Sequence, residues 1–229
     1  LDNVRAFDVD GNDVTDSYEF RTEFGEISFI PREIEITVPS VTGEYDGKPL
    51  TSSAWELTGG SFADGDGLVT VFDRSQTDVG ETENTPIVNV SRSILNGDGI
   101  DVTANYKITQ KVGKLTVQKR EVLVRTKDGS HVYDGTPFTC AEYEIAENYS
   151  LVGSDRLETV LTQSIVDAGE VDNKILFEVR NADGDDVTYN YSIVVDPGLL
   201  TVQKRTVGVK TANGEKIYDN RPLENRGYV

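Results

Sequence analysis

The chain has 229 residues and a formal net charge of −18, from 40 acidic and 22 basic side chains. That balance excludes nucleic acid, whose phosphates need clustered Lys and Arg, and it argues equally against an anionic membrane surface. A single cysteine, Cys140, rules out an intrachain disulfide, and no apolar run is long enough to span a bilayer.

Taken in order, residues 1–31 open in mid-pattern. Asp8-Val9-Asp10-Gly11-Asn12-Asp13 precedes Ser17-Tyr18, and Ile27 and Phe29 then alternate toward Pro31. From Arg32 to Val38, Ile34, Ile36 and Val38 alternate with polar residues and include β-branched side chains, which predicts a strand. Tyr45-Asp46-Gly47-Lys48-Pro49 reads as a turn, since Asp-Gly supports left-handed backbone angles and Pro forces an extended exit. Short strands are expected at Trp55-Glu56-Leu57, Leu68 to Phe72 and Val88 to Ser91, then from Asn105-Tyr106-Lys107-Ile108 into Leu115 and Val117.

The same order of signals then returns. Tyr133-Asp134-Gly135-Thr136-Pro137 lies 88 residues beyond the first such turn, and Tyr218-Asp219-Asn220-Arg221-Pro222 a further 85. Asn190-Tyr191 repeats Asn105-Tyr106, Asp155 and Leu157 repeat Asp66 and Leu68, and Ala168-Gly169 repeats Val79-Gly80. Strands are expected at Tyr143-Glu144-Ile145, Leu157 to Leu161, Leu176 to Val179 and Asn190 to Ile193. This divides the chain into the C-terminal part of one repeat (1–31), two complete repeats (32–119 and 120–204), and the N-terminal part of another (205–229). A period this long makes each repeat an expected domain rather than a solenoid turn.

The stretch Leu115-Thr116-Val117-Gln118-Lys119-Arg120-Glu121-Val122-Leu123-Val124 organises the pattern, and it recurs from Leu200 to Val209. Leu115 and Val117 before Gln-Lys-Arg are odd-numbered, whereas Val122 and Val124 after it are even-numbered. Successive strand residues face opposite sides, so this phase change exchanges the inward face and marks the passage from one repeat to the next.

Six or seven short strands per repeat, with no capped helical stripe, predict an all-β fold of tandem small Ig-like β-sandwiches. The alternative is a β-grasp-like mixed sheet with a helix around residues 54–58. The pattern Tyr-Asp-Gly-x-Pro, Gly-Asp-x-Leu, Asn-Tyr-x-Ile and Gly-x-Leu-Thr-Val-x-Lys resembles the MBG/YDG-type repeats of bacterial cell-surface proteins, including tandem copies in Gram-positive organisms. The resemblance implies extracellular, secreted or wall-attached stalk or adhesin-like modules and specifies no ligand.

Catalytic chemistry has little to draw on, so the expectation is a non-enzyme with no catalytic, cofactor or metal site. His131 is the sole histidine, and Ser130 beside it points to the opposite strand face, so it reads as an exposed strand-end residue. Cys140 has no activating partner and aligns with Ser52, which favours a small buried or half-buried side chain. The acidic runs at residues 8–13, 96–101 and 181–186 keep Asp-Gly while varying the rest, so hairpin turns are favoured over calcium loops. Lys107, Lys114 and Lys174 are the lysines available for an isopeptide cross-link, yet none recurs in both repeats. Tyr106 and Tyr191 are read as core or corner residues, and Trp55 is the one candidate sugar platform, with a buried indole the favoured reading. The expected function is a structural stalk or spacer. The rival readings are an adhesin module for host or cell-surface glycan or protein, and accessory modules of a secreted glycan-degrading enzyme. The sequence names no ligand and no oligomeric state.

Overall fold

In the computed structural model, residues 4–21, 23, 25–86 and 92–228 are described. The first repeat contains β1 (Arg32–Thr37), β2 (Val41–Glu44), β3 (Glu56–Gly59), β4 (Gly67–Thr70), β5 (Gly80–Asn84), β6 (Arg92–Leu95), β7 (Tyr106–Lys111) and β8 (Gly113–Gln118). The second contains β9 (Arg120–Thr126), β10 (Gly129–Val132), β11 (Tyr143–Ile145), β12 (Arg156–Thr162), β13 (Gly169–Asp172), β14 (Ile175–Arg180), β15 (Tyr191–Asp196) and β16 (Leu199–Gln203). Among the described residues, strands of 32–118 pair only with one another, and so do those of 120–203. The strand expected at Val88 to Ser91 falls outside the described residues.

The fold is all-β and built of several small mixed sheets. In each repeat the first strand lies parallel to the penultimate one, with Arg32 opposite Tyr106 and Arg120 opposite Tyr191. The second strand lies parallel to the last, with Val41 opposite Leu115 and Gly129 opposite Leu200. A separate antiparallel pair, β4–β6 or β12–β14, completes the repeat. Among the described residues the helical segments are three-residue 3-10 turns, and residues 56–59 are strand β3, not the helix of a β-grasp module.

Both long chain segments change sheet at the same corner. β1 leaves one sheet at Val38-Pro39 and enters the next as β2, while β7 passes into β8 at Val112-Gly113. The two backbones cross so closely that a Cβ on Gly113 would lie 2.4 Å from the carbonyl oxygens of both Val38 and Pro39. Gly198 holds the matching place, where a Cβ would approach Thr126 O to 2.6 Å. Glycine is therefore required here for space, and Pro39, without an N–H, suits a chain leaving its ladder.

The inward residues are those the alternation selects. Ile34, Ile36 and Val38 are buried in the first repeat, Val122 and Val124 in the second, and Leu115, Val117, Leu200 and Val202 close their respective repeats. Only Lys119 separates β8 from β9, and the buried face changes across it. Outside the two repeats apolar residues lie in solvent: Ile27 and Phe29 before the first repeat, and Val207 and Val209 after the second, are exposed.

Candidate functional site

The most elaborate site lies where the two repeats meet. One hydrophobic cluster runs through the seam, joining Tyr45 and Val117 of the first repeat to Val122, Val124 and Tyr191 of the second. Leu50 and Val79 pack on it from one side, Leu151 and Val152 from the other. The phase change thus marks an exchange of faces at a shared apolar contact, while a second cluster around Ile34, Ile94 and Tyr106 stays within the first repeat.

Each side supplies matched parts. The Tyr-Asp-Gly turn places Tyr45 at the end of the first repeat, with Tyr45 N–H donating to Gln118 O at 2.9 Å. Gly47 adopts φ +74°, and a Cβ there would lie 2.7 Å from Val152 Cγ1 of the second repeat. The glycine is needed twice, for its backbone angle and for the closeness of the neighbour. Across the joint, a 3-10 turn at Thr188–Asn190 delivers Asn190 and Tyr191. Tyr191 meets Tyr45 edge to face, with ring centroids 5.4 Å apart. Such a pair contributes about 0.5–1.5 kcal/mol beyond its buried area.

Polar groups in the joint are matched as well. Asn190 is fully buried. Its Oδ1 accepts from Val79 N–H at 2.8 Å, and its Nδ2 donates to Asp78 Oδ1 at 2.9 Å. Tyr191 Oη accepts from Val152 N–H at 3.0 Å and donates to Asp155 Oδ2 at 2.6 Å. Burial first, and the Asp155 carboxylate second, raise the Tyr191 phenol well above its ordinary range. Burial, followed by the charges of Asp155 and Asp78, raises Tyr45 likewise.

Arg120, which closes the first Gln-Lys-Arg step, makes contacts on both sides of the seam. Its Nε donates to Ser150 O at 2.8 Å within its own repeat, and its Nη1 reaches Glu44 Oε1 across the seam at 3.1 Å. Arg32 makes the intra-repeat half of this arrangement, donating to Phe62 O at 2.9 Å.

The other candidate residues are placed elsewhere. His131 is half-buried, not an exposed strand end, because its ring stacks on Phe138 with centroids 5.4 Å apart. Its Nε2 lies 3.2 Å from Asp134 Oδ2 without hydrogen-bond alignment. Ser130 Oγ accepts from Gln203 instead of facing the imidazole. Hydrogen bonds from Thr136 are the main reason the Asp134 carboxyl falls to about 2. Cys140 is half-buried against Gly129.

The three acidic runs are one recurrent hairpin. Asp8 Oδ1 accepts from the N–H groups of Asp10 and Asn12, and Asn96 Oδ1 from those of Asp98 and Ile100. Asn181 Oδ1 accepts from Asp185 N–H. Asp13, Asp101 and Asp186 then each accept from the N–H two residues on, opening a 3-10 turn before Tyr18, Tyr106 and Tyr191. Among the described residues, no three His, Cys, Asp or Glu side chains gather as a metal-ligating group. Lys107, Lys114 and Lys174 are exposed and pair with Glu33, Glu81 and Asp172. Trp55 is half-buried beside β3, and its counterpart Tyr143 packs edge to face on Phe177 at 4.8 Å.

Sequence reasoning missed Asn84 and Asn173. Both are fully buried at the ends of equivalent strands, their Nδ2 groups donating to Ser52 O and Lys127 O. Gly-Glu-x-acidic-Asn, present at 80–84 and 169–173, was the available signal.

The chain matches no protein-family model, no curated protein and no solved structure.

Proposed function

We propose that the chain is a non-catalytic stalk or spacer segment of a secreted or cell-wall-attached bacterial surface protein. The observation that carries this reading is the joint. A flexible tether needs no buried carboxamide bridging two repeats, no glycine cleared for a neighbouring valine, and no paired tyrosines between them. Those features restrict bending, so that each added repeat adds length along a defined direction. The acidic surface suits such an exposed element, since self-repulsion at a net charge of −18 opposes aggregation. The recurrence of the same hairpin, 3-10 turn and tyrosine in three places supports a tandem array, as does the resemblance to MBG/YDG-type modules.

Small-angle scattering on the chain tests the proposal. A stiff pair gives a distance distribution that stays fixed as salt is varied. A distribution that contracts with salt, as expected of two beads on a charged tether, speaks against it.

A further inference from the structure

One matched place differs between the repeats, and the difference leaves a recess in the first. In the second repeat His131 on β10 lies opposite Val202 on β16, and its ring stacks on Phe138 with centroids 5.4 Å apart. Its Nε2 stands 3.2 Å from Asp134 Oδ2 and is shielded from solvent. The first repeat keeps this frame and lacks the ring. Gly43 on β2 lies opposite Val117 on β8 in the same register. Leu50 bridges to Gln76 as Phe138 bridges to Ile165, and Asp46 stands in the place of Asp134. A recess of about 420 Å³ opens there, beside the central joint, and its lining includes Gly43, Asp46, Lys48, Leu50 and Val117. A Cβ on Gly43 would lie 3.6 Å from Leu50 Cδ1, an ordinary contact. A side chain leaving this position would therefore run along Leu50 as His131 runs along Phe138.

We propose that this recess binds an imidazolium ring supplied from outside the chain, held as the second repeat holds its own imidazole. Leu50 and Val117 give the ring apolar contact, and the Asp46 carboxylate accepts from its N–H. Asp46 is arranged as Asp134 is. Asp134 Oδ1 accepts from Thr136 N–H at 2.8 Å, which leaves Oδ2 to face His131. Asp46 Oδ1 accepts from Lys48 N–H at 2.9 Å, which leaves Oδ2 for the ligand. Glu44, also at the recess, is paired with Arg120. Lys48 is the one basic residue of the lining and replaces Thr136, so the ring is held by packing and by Asp46 and not by a broad negative field. A hydrogen bond between charged groups is stronger than a neutral one, which favours a cationic ring over a neutral ring of the same shape. In the second repeat the equivalent space is already filled, so each pair of repeats offers one such site. The ring belongs either to a histidine of a peptide or to a free small molecule, and the chemistry of capture is the same.

The test is a titration of the nitrogen-15-labelled full chain, followed through the amide signals of Gly43, Lys48 and Leu50. Imidazole is added at about pH 5.5, where the ring is protonated. Pyrazole, a ring of equal size that stays neutral there, is the control, and N-acetylhistidinamide stands for a peptide side chain. Imidazole should move these signals saturably, with pyrazole several-fold weaker. Tighter binding of N-acetylhistidinamide than of imidazole assigns the ring to a peptide, and the reverse assigns it to a free small molecule. Gly43→His supplies the second repeat's own side chain and should abolish the response by filling the recess. Asp46→Asn keeps the shape, removes the charge and should weaken imidazole several-fold, which serves the test even if Gly43→His does not fold. The proposal is overturned if imidazole leaves these signals unmoved, if pyrazole binds equally well, or if Asp46→Asn binds imidazole as the native chain does. A folded Gly43→His that responds like the native chain overturns it too.

Discussion

Tyr45 of the first repeat and Tyr191 of the second stand edge to face at 5.4 Å and 80°, and both are nearly excluded from solvent. Tyr45 belongs to a tight turn and Tyr191 follows a 3-10 turn, two motifs 146 residues apart that recur in every copy of the pattern. Their meeting gives both motifs a purpose that neither has within a single repeat.

Asn190→Ala removes the carboxamide that bridges the repeats and leaves Val79 N–H without its acceptor. A buried donor left unpaired costs about 1–3 kcal/mol. The matched change Asn105→Ala alters an exposed residue and stays within about 0.5 kcal/mol. Urea unfolding of the two variants should therefore differ in midpoint, with only Asn190→Ala shifted clearly.

Gly47→Ala and Gly135→Ala test the double demand on the turn. Both place a side chain at positive φ, at a cost of about 1–2 kcal/mol. Only at Gly47 does the new Cβ also meet Val152 Cγ1, 2.7 Å away. Thermal melting should show a larger loss for Gly47→Ala, and equal losses would mean that Val152 yields freely.

Gly113→Ala probes the corner where the sheets exchange strands. Its Cβ would meet backbone oxygens, which cannot rotate away. The substitution should destabilise by more than the roughly 1 kcal/mol by which Gly and Ala differ in ordinary strand positions. Circular dichroism melting reads the loss, and Gly208→Ala, with open space around it, is the neutral comparison.

Alkaline pH should loosen the second repeat. Tyr191 has a folded pKa raised above the ordinary value of 10.0, so the fold holds its proton more tightly than the unfolded chain does. The stabilisation is fully present below pH 10.0 and is lost as pH rises toward the folded value. Tyr191→Phe removes this dependence, and it also leaves Val152 N–H without its acceptor at every pH. The difference in unfolding free energy between the two proteins should shrink above pH 10.0 as the native chain loses its advantage.

Much of this was legible in the sequence. Alternation placed Ile34, Ile36, Val122 and Val124 inward, and the turn chemistry anticipated the left-handed backbone at Gly47, Gly135 and Asn220, where φ is +74°, +87° and +59°. The strands β2 and β10 were not legible, because their short stretches carry Gly43 and His131 in place of an apolar alternation. The corner at Gly113 was hidden for a different reason: a glycine needed for space looks the same in sequence as one needed for a turn. The joint was missed because its halves lie 111 residues apart at Val79 and Asn190, and the repeat pattern shows each half only within its own repeat. The phase change did find its location. What it could not convey is that apolar packing continues through the seam.

The central claim is that neighbouring repeats move as one body, and residual dipolar couplings measure this directly. Amide couplings from residues 32–118 and 120–203 of the native chain should fit a single alignment tensor. Insertion of two glycines after Lys119 should split them into two tensors of different magnitude, with both repeats still folded. Two distinct tensors in the native chain would contradict the account.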